Sequence, residues 1–281
     1  MNARAPLVST EWLAEHIDAP DIRIADASWY LPQAGRDPRA EYRVARIPRA
    51  VFFDIDDLSD EASPLPHMLA PGAKFASRMR RLGLGDGNLI VIYDGGGIYS
   101  SPRAWWMLRA MGHSDAVVLD GGLPKWRKEG RPVEDMIAPS YHRHFTPRQN
   151  HALVRDFGQL LELQQANAVQ IIDARSASRF AGREEEPRAG VRRGHIPGSI
   201  NVPYTELTNG DGTLKSGEEL RAIYVARDVD LTRPVVTTCG SGITAAIQML
   251  ALEVAGAKDV SLYDGSWAEW GARAEAPVET N

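Results

Sequence analysis

One succession of sequence elements occurs twice along the chain, and this repetition limits the fold more than any other feature. The first half opens with a helical segment at residues 9–17 (STEWLAEHI) and an apolar strand at 22–28 (IRIADAS). A long polar loop follows and closes on Arg46-Ile47-Pro48. Then come a helix at 74–85, a buried-strand pattern running from 88 into Gly95-Gly96-Gly97, a helix at 101–113, and a strand-turn-Trp segment at 116–126. The second half repeats the order with a helix at 154–165, a strand at 169–176 and a polar loop closing on His195-Ile196-Pro197. A helix at 217–230, a strand from 233 into Gly240-Ser241-Gly242, a helix at 244–257 and a strand-turn-Trp segment at 260–270 complete it. Short apolar strands alternating with amphipathic helices predict an α/β fold, a mainly parallel central sheet with helices on both faces, present twice.

A chain of 281 residues is long enough for two such cores. The joint falls in the Pro- and His-bearing stretch around 131–150. We draw the domains as residues 1–140 and 153–281, with a linker at 141–152. The balance of 32 basic against 37 acidic residues argues against nucleic acid as a partner, since phosphate binding needs a concentrated basic surface. No apolar run approaches 18 residues, and the first residues lack a basic stretch followed by an apolar one. The expectation is a cytoplasmic protein with no membrane partner.

Cys239 is the one cysteine, so neither an intrachain disulfide nor a thiolate zinc site is available, and no metal is expected. Such a thiol is either an inert core filler or a nucleophile. Its place decides for the nucleophile: Thr238-Cys239-Gly240-Ser241-Gly242-Ile243-Thr244 lies where a strand feeds a helix, the informative position in an open α/β sheet. Glycines there let backbone N–H groups turn inward, and a helix N-terminus favours negative charge. The first half has Asp94 at the same position, so the nucleophile exists once. Rival chemistries fail on inspection. A Cys-x5-Arg phosphatase loop would need arginine at Ala245, and neither a GxxxxGK[ST] loop nor a GxSxG elbow occurs.

Taken with this loop, the GHIPGS and DGSW segments make the chain resemble the tandem rhodanese-type sulfurtransferases, two rhodanese-like domains in series. The loop CGSGIT is similar to the CGSG[VI]T signature of the 3-mercaptopyruvate subfamily, as distinct from the CRKG[VI]T of thiosulfate enzymes. The first-half segments FFDIDDLSD, SPLPHML and DGGLPKWRKEG resemble that subfamily too, and the likeness covers nearly the whole chain. The resemblance implies that Cys239 carries a persulfide, with Gly240, Ser241, Gly242, Ile243 and Thr244 forming a cradle. It implies that Arg179 and Arg188 bind the substrate carboxylate, and that Asp56 and His67 form a proton relay with Ser241. The implied activity moves sulfur from 3-mercaptopyruvate to a thiol acceptor, such as a small thiol or thioredoxin-like protein, or to cyanide, without a cofactor. Two alternatives stay open: a thiosulfate:cyanide sulfurtransferase, and a non-enzymatic sulfur-relay or redox module.

On their residues alone, several of these positions read equally as structure. Arg179 and Arg188 flank an acidic GREEEP stretch that would suit a solvated surface, and His67 between Pro66 and Met68 would suit a turn. Asp54, Asp56, Asp57 and Asp60 lack EF-hand spacing and read as a solvated loop. His142, His144 and His151 read as exposed, and His195 as structural.

Overall fold

The computed structural model describes residues 5–136 and 141–280. In the first half, strands β1 (Leu7–Val8), β2 (Ile22–Asp26), β3 (Val51–Phe52), β4 (Leu89–Tyr93) and β5 (Ala116–Leu119) form one sheet in the order β1-β5-β4-β2-β3. In the second half, β6 (Val154–Arg155), β7 (Gln170–Asp173), β8 (Ile200–Asn201), β9 (Val235–Thr238) and β10 (Val260–Tyr263) form another in the order β6-β10-β9-β7-β8. Every pairing between these strands is parallel. The two orders are the same topology, as the sequence repetition predicts. The central strands β4 and β9 are buried at every position, which is why neither alternates: β4 reads as an unbroken apolar run, LIVIY, and β9 as VVTT with no charged residue.

Ten helices flank these sheets among the described residues. The first half contributes α1 (Thr10–His16), α2 (Pro38–Val44), α3 (Gly72–Leu82), α4 (Ser101–Ala110) and α5 (Gly122–Lys128). The second contributes α6 (Phe157–Gln165), α7 (Ala177–Phe180), α8 (Gly217–Val225), α9 (Ile243–Ala255) and α10 (Ser266–Trp270). Their starts follow local chemistry. Asp156 with Gln159, and Ser216 with Glu219, form reciprocal capping boxes on α6 and α8.

The polar loops of both halves are not wholly irregular: each contains a short helix, α2 and α7. Asp37 accepts from the backbone N–H groups of Arg39 and Ala40, with Pro38 in the first helical position. Ser176 accepts from the N–H of Arg179 at 3.4 Å. Polar side chains with no apolar period therefore make these helices through their caps.

Contacts divide the chain into two compact units. One holds the residues up to Glu61, Leu69–Asn150 and Asn209–Leu214; the other holds Ala62–Met68, His151–Thr208 and the chain from Lys215. The core of the first packs Leu13, Ile24, Val91, Tyr93 and Trp126, and that of the second packs Leu160, Ile171, Val236, Tyr263 and Trp270. No helix among the described residues is long and apolar enough to cross a membrane.

Candidate active site

In the second unit β9 has β10 on one side and β7 on the other, so the chain leaves its carboxyl end at a point where the strand order diverges. Cys239 is the first residue beyond that end and is 2% exposed. Four hydrogen bonds hold the loop. The N–H groups of Trp267 and Ala268 donate to the carbonyls of Cys239 and Gly240, both at 2.9 Å. The Cys239 N–H donates to Ser266 Oγ at 3.2 Å, and Ser266 Oγ–H in turn donates to the Tyr263 carbonyl at 2.9 Å. The DGSW segment of the sequence is thus a clamp on the backbone of the cysteine loop.

At the sulfur, the Gly242 N–H donates to Cys239 Sγ at 3.1 Å. Gly242 caps α9 at φ 82°, a left-handed conformation that lets this N–H turn back over the thiol while Ile243 begins the helix. Ser241 is buried beside it, and Thr244 is half-buried in the first turn.

The substrate-side cations lie in the same unit. A β-carbon built on Gly240 would stand 3.1 Å from Arg179 Nη2, so this guanidinium lies on the loop itself. Arg179 is ion-paired through Nη2 with Glu186, which is almost fully buried and also accepts from Arg175 Nη1 at 2.8 Å. Arg175, buried, forks onto Asp173 at 2.7–3.1 Å, donates to the Gly194 carbonyl at 2.8 Å, and lies 4.4 Å above the Trp267 ring. A chain of alternating charge, Asp173–Arg175–Glu186–Arg179, therefore runs from the end of β7 to the cysteine loop. The acidic GREEEP stretch reads as solvated in the sequence, but the Glu186 side chain is a buried link in this chain. The Asp-Ala-Arg triplet at a strand end was the available signal for Arg175.

Arg188 is half-buried. Burial lowers its guanidinium from the usual range, the charge of Cys239 opposes that, and Arg179 adds repulsion. Tyr204 is a residue that sequence reading missed: burial, then the charge of Cys239, raises its phenol above the usual value, so its side chain lies within electrostatic reach of the sulfur.

The remaining sequence candidates sit as follows. Asp56, in the first unit, is exposed and accepts from Trp29 Nε1 at 3.1 Å. His67, half-buried at φ 60°, lies in the segment 62–68 that belongs to the unit of Cys239 and Ser241. Asp54 is ion-paired with Arg39, and Asp57 with Arg78 at 2.8 Å, so the acidic run is stitched to helices rather than freely solvated. His195 stacks on Phe180 at 3.8 Å between ring centroids, with Nδ1 at 2.8 Å from the Phe180 carbonyl oxygen. Among the described residues, no group of three or more His, Cys, Asp and Glu is arranged to hold a metal.

The first unit carries the same loop in another form. Asp94 follows β4 as Cys239 follows β9, and its buried carboxylate takes the N–H groups of the turn. Oδ1 accepts from Gly96 N at 2.8 Å, and Oδ2 from the N–H groups of Tyr99, Ser100 and Ser101 at 2.8–3.0 Å and from Ser101 Oγ at 2.6 Å.

Residues 9–129 and 156–273 each match the rhodanese-like domain. The chain belongs to the rhodanese-like family. Among its relatives, the 3-mercaptopyruvate sulfurtransferase of Escherichia coli strain K12 is 46% identical over 273 residues, covering 97% of each chain. The thiosulfate sulfurtransferase of Bos taurus is 43% identical over 281 residues, covering 98% of this chain and 94% of its own. The crystal structure of the rhodanese-fold 3-mercaptopyruvate sulfotransferase from Escherichia coli superposes with a TM-score of 0.86 at 43% identity, covering 95% of this chain and all of that one. Rhodanese-family relatives of both donor types thus reach similar identity, and the residues of the loop must separate them.

Proposed function

We propose that the protein transfers sulfur from 3-mercaptopyruvate through a persulfide on Cys239. The observation that carries this reading is the loop itself: a single thiol at the carboxyl end of β9, with an N–H on its sulfur and Arg179 against its next residue. The Cys239 thiolate attacks the substrate sulfur, the carbon–sulfur bond breaks, and its electron pair leaves on the pyruvate enolate. The proton of the substrate thiol finishes on the methyl carbon of pyruvate, and Cys239 keeps the outer sulfur. An incoming thiolate or cyanide then takes that sulfur and restores the Cys239 thiolate.

The cradle N–H groups of Gly242, Ile243 and Thr244 stabilise charge on sulfur without reorganising, which lowers the barrier. Arg188 binds the substrate carboxylate as a fork; Arg179, whose Nε and Nη2 face Glu186, orients it with its remaining donors. Ser241 helps move the substrate proton, and His67, of the same unit, supports that transfer. The acceptor is a small thiol or a thioredoxin-like protein, and the setting is the reducing cytoplasm, where the thiol is regenerated between turnovers.

The thiosulfate reading has one observation in its favour, the similar identity to thiosulfate relatives. Against it, Gly240 and Ser241 put no cation beside the sulfur for a compact dianion. Pyruvate release from 3-mercaptopyruvate with a thiol acceptor tests the proposal. Turnover is expected with this donor and poor turnover with thiosulfate; the reverse preference overturns it.

A further inference from the structure

We propose that the first unit also binds a small phosphate monoester, in a cavity where Arg23, Arg49 and Arg143 converge away from the sulfur-transfer loop. The cavity has a volume of about 210 Å³ and lies beside the start of β2, the opposite end of that strand from Asp94 and its turn. The three guanidiniums come from three separate segments, and each segment is held. Arg23 Nη1 donates to the carbonyls of Pro20 and Ile22 at 3.0 and 2.6 Å. Arg49 stands at φ 68°, and its guanidinium donates to the carbonyl of Ile17. Arg143 belongs to a stretch seated on the turn after α3: Asp86 N–H donates to the His144 carbonyl at 2.8 Å, and a β-carbon on Gly85 would stand 2.3 Å from that oxygen.

The contacts of Arg23 and Arg49 fix their guanidiniums through neutral carbonyls and leave the positive charge in place. Two exposed carboxylates stand against it, Asp18 at 3.6 Å from Arg49 and Asp21 near Arg23. Burial, then the charges of Arg143 and Arg49, lower the Arg23 guanidinium from its ordinary value, and the charge of Asp21 opposes them. Two held guanidiniums, Arg23 and Arg49, with the exposed Arg143 carried on a seated backbone beside them, are placed for an anion. A carboxylate is planar and presents two oxygens, whereas a phosphate ester presents three terminal oxygens, one toward each arginine. Ile17, Ile22 and Leu82 form an apolar wall, and Tyr141, 77% exposed, adds a ring at the rim. A phosphate on an aryl or short apolar group fits both parts.

Calorimetry with phenyl phosphate, inorganic phosphate and benzoate at fixed ionic strength tests this. One saturable phenyl phosphate site per chain is expected, tighter than either inorganic phosphate or benzoate. Binding should weaken at least about 10-fold in Arg143→Ala and in Arg23→Gln, and survive in the Arg179→Ala/Arg188→Ala pair. Pyruvate release should be unchanged in Arg143→Ala. The proposal is overturned by an absence of saturable binding, by binding that persists in the Arg23→Gln/Arg143→Ala pair, or by binding lost with Arg179 and Arg188. Equal affinity for benzoate overturns the phosphate assignment.

Discussion

Arg179 lies against Gly240, with its Nη2 3.1 Å from the point where a β-carbon on that residue would stand. The φ of Gly240 is outside the left-handed range, so backbone strain does not demand glycine there; the guanidinium does. A methyl group at position 240 must push Arg179, and Glu186 holds Arg179 in place. Gly240→Ala should therefore raise KM for 3-mercaptopyruvate several-fold and leave the fold intact. Kinetics beside thermal denaturation checks this; an unchanged KM would release Arg179 from substrate positioning.

Donor choice follows from the same contact. Ser241→Lys places a cation beside the sulfur without touching Arg179. It should shift the kcat/KM ratio toward thiosulfate about 10-fold, equivalent to about 1.4 kcal/mol. Adding Gly240→Arg sets a second guanidinium against the first and should lower 3-mercaptopyruvate use further. A ratio that does not move would defeat the charge argument.

The two arginines should not be equivalent. Arg179 faces Glu186 with Nε and Nη2, whereas Arg188 is coupled to the charge of Cys239. A charged hydrogen bond contributes roughly 1.5–3 kcal/mol, so Arg188→Ala should lower kcat/KM about 10- to 150-fold. Arg179→Ala should cost less, below about 10-fold. The opposite order, measured with 3-mercaptopyruvate, would reverse the two assignments.

Much of this was legible in the sequence. That both halves share one mainly parallel α/β fold followed from the repetition, and the cysteine loop from its place between an apolar strand and a helix. What escaped were interactions with no periodic signature. The helices α2 and α7 rest on caps at Asp37 and Ser176 rather than on an apolar stripe. Glu186 looked solvated because its burial depends on Arg175, eleven residues away. Tyr204 follows a strand of two residues, and nothing in its neighbours marks its approach to Cys239.

The repeated fold also diverges at the buried acid that ends β2 and β7. At the end of β7, Asp173 is paired with Arg175; at the end of β2, the corresponding Asp26 is bonded instead by Ser28, whose N–H and Oγ–H donate to Oδ1 at 2.9 and 2.5 Å, and by the Tyr93 phenol. Burial raises the Asp26 carboxyl from 3.8 to about 6, against the Ser28 hydrogen bonds. Because the folded value lies above the unfolded one, the folded state binds the proton more tightly. Its stabilising effect is full below pH 3.8 and is lost as pH rises through about 6. The difference is on the order of 3 kcal/mol. Asp26→Asn should flatten the pH dependence of Tm between about pH 4 and 7; an identical profile would remove Asp26 as its source.

Asp94 fills the turn of the first unit with its own side chain. Its side chain takes the N–H groups of Gly96, Tyr99, Ser100 and Ser101, whereas in the second unit the Gly242 N–H points at the Cys239 sulfur. Asp94→Ala leaves several buried N–H groups unmatched and should cost roughly 3–5 kcal/mol, read by denaturant unfolding. A loss below about 1 kcal/mol would mean the turn finds other partners.

The central claim is that sulfur resides on Cys239 between donor and acceptor. Intact-protein mass spectrometry after 3-mercaptopyruvate treatment, with pyruvate quantified in the same sample, tests it most directly. The account predicts one added sulfur per chain, matched by one pyruvate, removed by dithiothreitol and absent in Cys239→Ser. Sulfur retained by the Cys239→Ser protein, or pyruvate released without any sulfur on the wild type, would contradict it.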